Sequence, residues 1–124
     1  MRPVCGLILA ALAVCGCRDE RQAIPFDEVR WKQADVRAEP PTVRQLMVAD
    51  LVQRDALRGL SRDDVIDLLG TPDSVDAGAA GFPRWDIIYV LGDEDAGPYS
   101  LDTEALGVKF GADGRVLRWG TSVN

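Results

Sequence analysis

Histidine is absent from this chain of 124 residues. Histidine is the usual general base near neutral pH and the commonest metal ligand, and without it Ser–His and Cys–His catalysis is excluded. We therefore expect a protein that is not an enzyme and that holds no cofactor and no metal.

Positive charge is also scarce, with 14 Lys and Arg against 20 Asp and Glu and a net charge of −6. A domain this acidic lacks the basic surface that nucleic-acid-binding proteins need, and anionic lipid headgroups would repel it. No nucleic-acid partner is expected.

No apolar run is long enough to span a bilayer, which takes about 20 residues. The longest run, Pro3 to Val14, follows Arg2 and precedes small residues, a pattern typical of a secretory signal peptide. All three cysteines (Cys5, Cys15 and Cys17) lie in this region. Cleavage before Cys17 would remove the other two, so no disulfide is expected.

The sequence at the cleavage site resembles the lipobox of bacterial lipoproteins. Val14 occupies the aliphatic position and Gly16 the small position before Cys17. The resemblance implies a signal peptide over residues 1–16 and attachment of palmitate-type acyl chains to Cys17. Cys15 is the alternative site, but it would place Val14 where small residues are favoured. Arg18 is not the aspartate that retains many enterobacterial lipoproteins in the inner membrane, so the outer membrane is favoured over the inner.

The pattern after Cys17 predicts a tether over residues 17–25 and one domain over residues 26–124. The segment from Phe26 to Lys32 has three separated apolar side chains and is predicted to be an arm docked against the domain, which ends before two prolines. A helix then runs from its cap at Thr42 to about Arg58 and ends at Gly59. A second helix has Ser61 as N-cap, Asp64 completing a capping box, and Gly70 at its end in the left-handed conformation.

Alternating apolar residues in the second half predict three strands. In the first, Trp85, Ile87, Tyr89 and Leu91 share one face, and Gly92 ends the strand. The second contains Leu106, Val108 and Phe110, and a turn at Asp113–Gly114 leads to a third strand from Arg115 to Thr121. The predicted fold class is α+β, with a two-helix hairpin packed on a small three-stranded antiparallel sheet.

Three tryptophans, Trp31, Trp85 and Trp119, are candidate partner contacts because tryptophan is enriched at interface hot spots. The alternative is that they belong to the core.

Asp93, Asp95 and Glu104 match three positions of a calcium loop, but Gly97 and Pro98 break its pattern. The remaining enzymatic alternative is a hydrolase that uses Asp93, Asp95 and Asp102.

The helical region contains a hairpin motif, which consists of Leu57, Gly59, Leu60, Ser61, Val65, Leu68, Leu69, Gly70 and Pro72. This motif resembles the helix hairpin of the SmpA/OmlA (BamE-like) outer-membrane lipoproteins and of the wider superfamily that includes the β-lactamase inhibitor proteins. Further motifs are Phe26 to Lys32, Arg44 with Met47, Asp50 and Leu51, Tyr89 to Gly92, and Asp102 to Phe110. With these motifs the chain looks closer to a set of small uncharacterised bacterial proteins.

This resemblance implies a two-helix, three-strand fold and a non-catalytic role. The leading hypothesis is a lipid-anchored envelope protein that binds or scaffolds another envelope protein, with outer-membrane protein assembly or envelope integrity as the process that the resemblance suggests. The surface residues through which BamE-like proteins bind their partners are not found in this acidic chain. The alternative is a membrane-tethered inhibitor or ligand sensor that uses the loop Asp76 to Gly81 and Trp85.

Overall fold

Three helices precede three strands in the computed structural model, which describes residues 22–75, 84–94 and 102–123. The helices are α1 (Glu28–Gln33), α2 (Val43–Gln53) and α3 (Arg62–Leu69), and the strands are β1 (Ile87–Asp93), β2 (Thr103–Phe110) and β3 (Val116–Val123). The α+β fold class is confirmed.

The strands form one antiparallel sheet in the order β1-β2-β3. Ile87 pairs with Val108, and Val108 in turn pairs with Trp119. Alternate residues of β1 and β2 enter the main core, as the alternating pattern predicted. Gly92 does not end β1 but lies within it, where the register shifts.

The predicted arm becomes the short helix α1, which begins at the N-cap Asp27. The backbone N–H of Phe26 donates to the Asp50 carboxylate at 2.8 Å. This bond, and then the bond from Arg54, hold the pKa of Asp50 below its ordinary value. The backbone of Ile24 already donates to Leu46 O at 3.0 Å, so contact with the domain begins before the predicted boundary at Phe26.

Helix α2 begins as predicted at Thr42, where Gln45 completes a capping box. It ends at Gln53, and the predicted extension to Arg58 is wrong. After the C-cap Arg54, Asp55 adopts a φ of +54°, and a backbone in that conformation cannot continue the helix. Gly59 has the expected positive φ, but it lies at the end of the following turns and not at the end of the helix.

The capping box of α3 is confirmed, since Ser61 and Asp64 bond to each other's backbone N–H groups. Gly70 follows the helix with a φ of +88° and a ψ of −173°. The φ is positive as predicted, but the ψ is not left-handed helical, and only glycine readily adopts this combination.

The predicted packing of a two-helix hairpin is not confirmed. The helix contacts run from α1 to α2 and from α1 to α3, while α2 also packs on β1. The short helix α1 therefore joins the two longer helices.

The main core lies between the helices and one face of the sheet. Its fully buried side chains include Trp31, Met47, Leu51, Leu57, Val65, Leu69, Ile87, Tyr89, Leu91, Leu106 and Val108. Trp85 and Ile88 form a second cluster. The prediction that Trp85 shares a face with Ile87 is wrong, because Trp85 precedes the strand and its ring packs over Gly107 on the opposite face of the sheet.

Replacing Gly70 with alanine is expected to lower the free energy of unfolding by about 2 kcal/mol, because a side chain is strained at this φ and ψ. Urea denaturation checks this. Thr71→Ala, at the exposed neighbouring position, is the control and is expected to change stability by less than about 0.5 kcal/mol. Equal stability of the two variants would contradict the assignment of backbone strain to Gly70.

Candidate functional site

Trp31, the first candidate partner contact, lies in the core with no exposed surface. Its ring centroid is 5.7 Å from that of Phe26 and 5.0 Å from the Arg44 guanidinium carbon. Trp31 therefore holds α1 against the domain, and its side chain is not available to a partner in this structure.

Arg44 connects α2 to two other parts of the fold. Its Nε donates to Trp31 O and its Nη1 to Val90 O, both at 3.0 Å. Burial lowers the pKa of Arg44 from its ordinary value, and the Asp73 carboxylate at 3.7 Å opposes that shift. Phe26, Trp31 and Arg44 all belong to the sequence motifs. Their presence in those motifs is explained by a structural role, because together they dock the arm against the domain.

Tyr89, close to Arg44 and Asp73, has a strongly shifted pKa. Burial raises its pKa to about 12, and its hydroxyl donates to Gly70 O at 2.8 Å. The phenol therefore stays neutral at physiological pH and serves as a hydrogen-bond donor that fixes the end of α3 against β1. It is not poised to act as a base.

Trp85 is only 8% exposed, although it lies on the sheet face opposite the helices. Its ring covers Gly107, and Arg118 stacks at 5.5 Å from the ring centroid. Trp119 is half-buried beside Arg58, whose guanidinium is 5.6 Å from the indole ring. The structure does not bring the three tryptophans together into one surface.

Three of the acidic residues considered for calcium binding or hydrolysis lie in the described part of the chain: Asp93 ends β1, Asp102 directly precedes β2, and Glu104 lies at the start of β2. Gln45 Nε2 donates to Glu104 Oε1 at 3.0 Å and to Asp93 O at 2.8 Å, and so joins the cap of α2 to both strands. Asp95 lies outside the described residues. Within residues 22–75, 84–94 and 102–123, no group of three metal-ligating side chains is close enough to hold an ion.

An open groove that the sequence did not predict lies beside α1 and α3, with a volume of about 450 Å³. We call it the α1–α3 groove. Its lining residues are Glu28, Ala56, Leu60, Asp64, Asp67 and Leu68.

The floor of the α1–α3 groove is apolar. Ala56, Leu60 and Leu68 are each partly buried and pack against the main core. Leu60, Asp64, Asp67 and Leu68 recur at helical spacing, and this spacing is the sequence signal for the surface. In the sequence, the same leucines belong to the hairpin motif and Asp64 to the capping box, so neither pattern by itself indicates a groove.

The rim of the α1–α3 groove carries three carboxylates. Glu28 accepts a bond of 2.8 Å from Lys32, whose ammonium also donates to Asp67 O at 2.6 Å. Asp64 is fixed by the capping box. The Asp67 carboxylate is exposed and has no hydrogen bond or ion pair with any other residue in the described part of the chain. The groove therefore keeps an excess of negative charge.

Two predicted functional segments lie outside the described residues: Cys17 with its signal peptide, and the loop Asp76 to Gly81. Of the helices in the described ranges, none has the length and apolar character needed to cross a membrane.

Comparison of the chain with protein-family models, with curated proteins and with solved structures finds no match.

Proposed function

We propose that this chain is a lipid-anchored protein of the cell envelope that acts by binding another envelope protein and carries out no catalysis itself. The observation that carries the proposal is the α1–α3 groove, which offers partly exposed leucines beside carboxylates on the surface of a well-packed domain. Apolar surface with a polar rim is the usual anatomy of a protein–protein contact.

The anchor in this proposal is Cys17, acylated after removal of residues 1–16. Two acyl chains would hold the protein stably, since each buried CH₂ contributes about 0.8 kcal/mol. The acidic domain itself has no electrostatic attraction to anionic headgroups. Membrane attachment and partner binding are therefore assigned to separate parts of the chain.

The length of the tether supports a partner close to the membrane. Ile24 is hydrogen-bonded to α2, so only the segment from Cys17 to Ile24 separates the lipid from the domain. At about 3.5 Å per residue, that segment reaches no more than about 25 Å. A partner bound in the α1–α3 groove is thus a membrane protein or one held near the membrane. The outer membrane is the favoured location, because the residue after Cys17 is Arg18 and not the aspartate that retains many enterobacterial lipoproteins in the inner membrane.

Lipidation is tested by labelling cells with an alkyne analogue of palmitate and detecting the protein by a coupled fluorophore. Cys17→Ser is expected to abolish the label, because the acylated thiol is lost. Cys15→Ser is the matched control and is expected to retain it. Loss of the label in Cys15→Ser alone would move the anchor to Cys15, and an unlabelled parent chain would contradict lipid anchoring.

A further inference from the structure

We infer that the α1–α3 groove binds a cationic, amphipathic segment of a partner protein, and this inference rests on the function proposed above. Its first support is charge complementarity. Glu28, Asp64 and Asp67 all line the groove, and no Lys or Arg is among its lining residues. Lys32 nearby is already bonded to Glu28 and to the Asp67 carbonyl. A partner that brings lysine or arginine supplies the missing positive charge.

The spacing of the rim carboxylates sets the geometry of recognition. Asp64 and Asp67 are three residues apart on α3, which places their Cβ atoms about 5–6 Å apart on one side of the helix. Asp64 is held in the capping box, whereas the Asp67 carboxylate is free of partners among the described residues. One guanidinium, or two basic side chains on adjacent turns, fits these two carboxylates.

The apolar floor of the α1–α3 groove is best covered by an apolar side chain that lies next to the basic side chain of the bound segment. Leu60 lies just before α3 and Leu68 eight residues later in its last turn, with the two carboxylates between them in sequence. Covering the exposed parts of the leucines gains about 25 cal/mol per Å² of apolar surface. A segment with only basic side chains would not bury this apolar surface. The segment that binds the groove therefore has both basic and apolar side chains.

A second copy of this chain is a poor occupant. Two grooves facing one another would bring six rim carboxylates together, and each chain carries a net charge of −6. Like charges set opposite each other at an interface oppose association.

The inference is tested with a defined probe, a ten-residue peptide of Lys, Leu and Ser in which leucines recur at spacings of three and four. One control peptide has Glu for every Lys, and another has Ser for every Leu. The lipidated full chain, in non-ionic micelles, is titrated with each peptide while amide chemical shifts are recorded. Partition of a peptide into micelles affects all protein variants equally.

The groove variant combines Asp64→Asn with Asp67→Asn, since asparagine at position 64 retains a capping acceptor. The control variant combines Glu39→Gln with Asp102→Asn, two exposed positions outside the groove that give the same change in net charge. The groove variant is expected to raise the Kd of the probe about tenfold, and the control variant less than about twofold. Both control peptides are expected to bind about tenfold more weakly than the probe.

Equal losses in the two variants would overturn the inference, because net charge alone would then explain binding. Shift changes confined to residues outside the α1–α3 groove, or equal binding of the peptide without leucine, would overturn it as well. So would a dimer of the parent chain that is lost in the groove variant. Such a result would leave open whether an envelope protein binds elsewhere on this chain, which the cross-linking measurement below decides separately.

Discussion

Gly107→Ala is expected to lower the free energy of unfolding by about 3 kcal/mol, at the upper end of the cost of overpacking. A Cβ at this position would lie 2.2 Å from two ring atoms of Trp85, so the indole must move off the sheet. Trp85 is 8% exposed, and moving it exposes a large apolar ring to water. Urea denaturation, followed by tryptophan fluorescence and by far-ultraviolet circular dichroism, measures the change.

Gly120→Ala is the matched control for Gly107→Ala. Gly120 pairs with Gly107 on the neighbouring strand, and its Cβ would lie 3.6 Å from Trp85, an ordinary contact. We expect a change of less than about 1 kcal/mol. Trp85→Ala should also remove most of the cost of Gly107→Ala when the two are combined. Full stability of Gly107→Ala alone would contradict the placement of Trp85 over the sheet.

Trp31→Ala is expected to have the largest effect, a loss of about 4 kcal/mol, because it empties a fully buried site of tryptophan size. Trp31→Phe is expected to cost only about 1 kcal/mol. Its ring still packs near Phe26 and Arg44, and the indole Nε1 has no hydrogen-bond partner among the described residues, so phenylalanine removes no bond. Denaturation of both variants measures the difference.

Trp31→Ala and Trp31→Phe also test whether binding in the α1–α3 groove depends on the docked arm. Trp31 anchors α1, and α1 supplies Glu28 to the groove. Trp31→Ala is therefore expected to weaken binding of the Lys, Leu and Ser probe peptide even in conditions where the rest of the domain is folded, whereas Trp31→Phe preserves binding. If phenylalanine costs as much stability as alanine, the indole N–H has a partner and the account of this site is wrong.

The local patterns in the sequence predicted local structure well. Ser61 and Asp64 predicted the start of α3 because a capping box is made by residues three apart. The alternation of Leu106 and Val108 predicted β2 and the face that enters the core, since strand periodicity depends only on the pleat.

Features that depend on the backbone conformation of a turn or on distant residues were not predicted. The end of α2 at Gln53 reflects the turn at Asp55, which helix propensity does not reveal. Trp85 was assigned to the wrong face because its place is created by Gly107, far along the chain. The α1–α3 groove joins α1 to α3 across more than thirty residues, so neither segment indicates the surface by itself.

The most direct test of the proposed function is site-specific photo-cross-linking in cells that produce the full chain. A photoreactive amino acid replaces Asp63, an exposed residue one turn before Asp67 on α3, in one strain, so that both α3 carboxylates of the α1–α3 groove are retained. In a matched strain it replaces Leu117, an exposed residue of β3. Adducts are identified and mapped by mass spectrometry.

We predict an adduct with one envelope protein from position 63 and not from position 117, mapped to a segment with basic and apolar residues. An adduct that maps to an acidic segment, or that forms only from position 117, would keep protein binding and contradict the assigned groove and partner chemistry. The proposed function itself would be contradicted if neither position gave a protein adduct and if general chemical cross-linking in cells recovered no envelope protein with the lipidated parent chain.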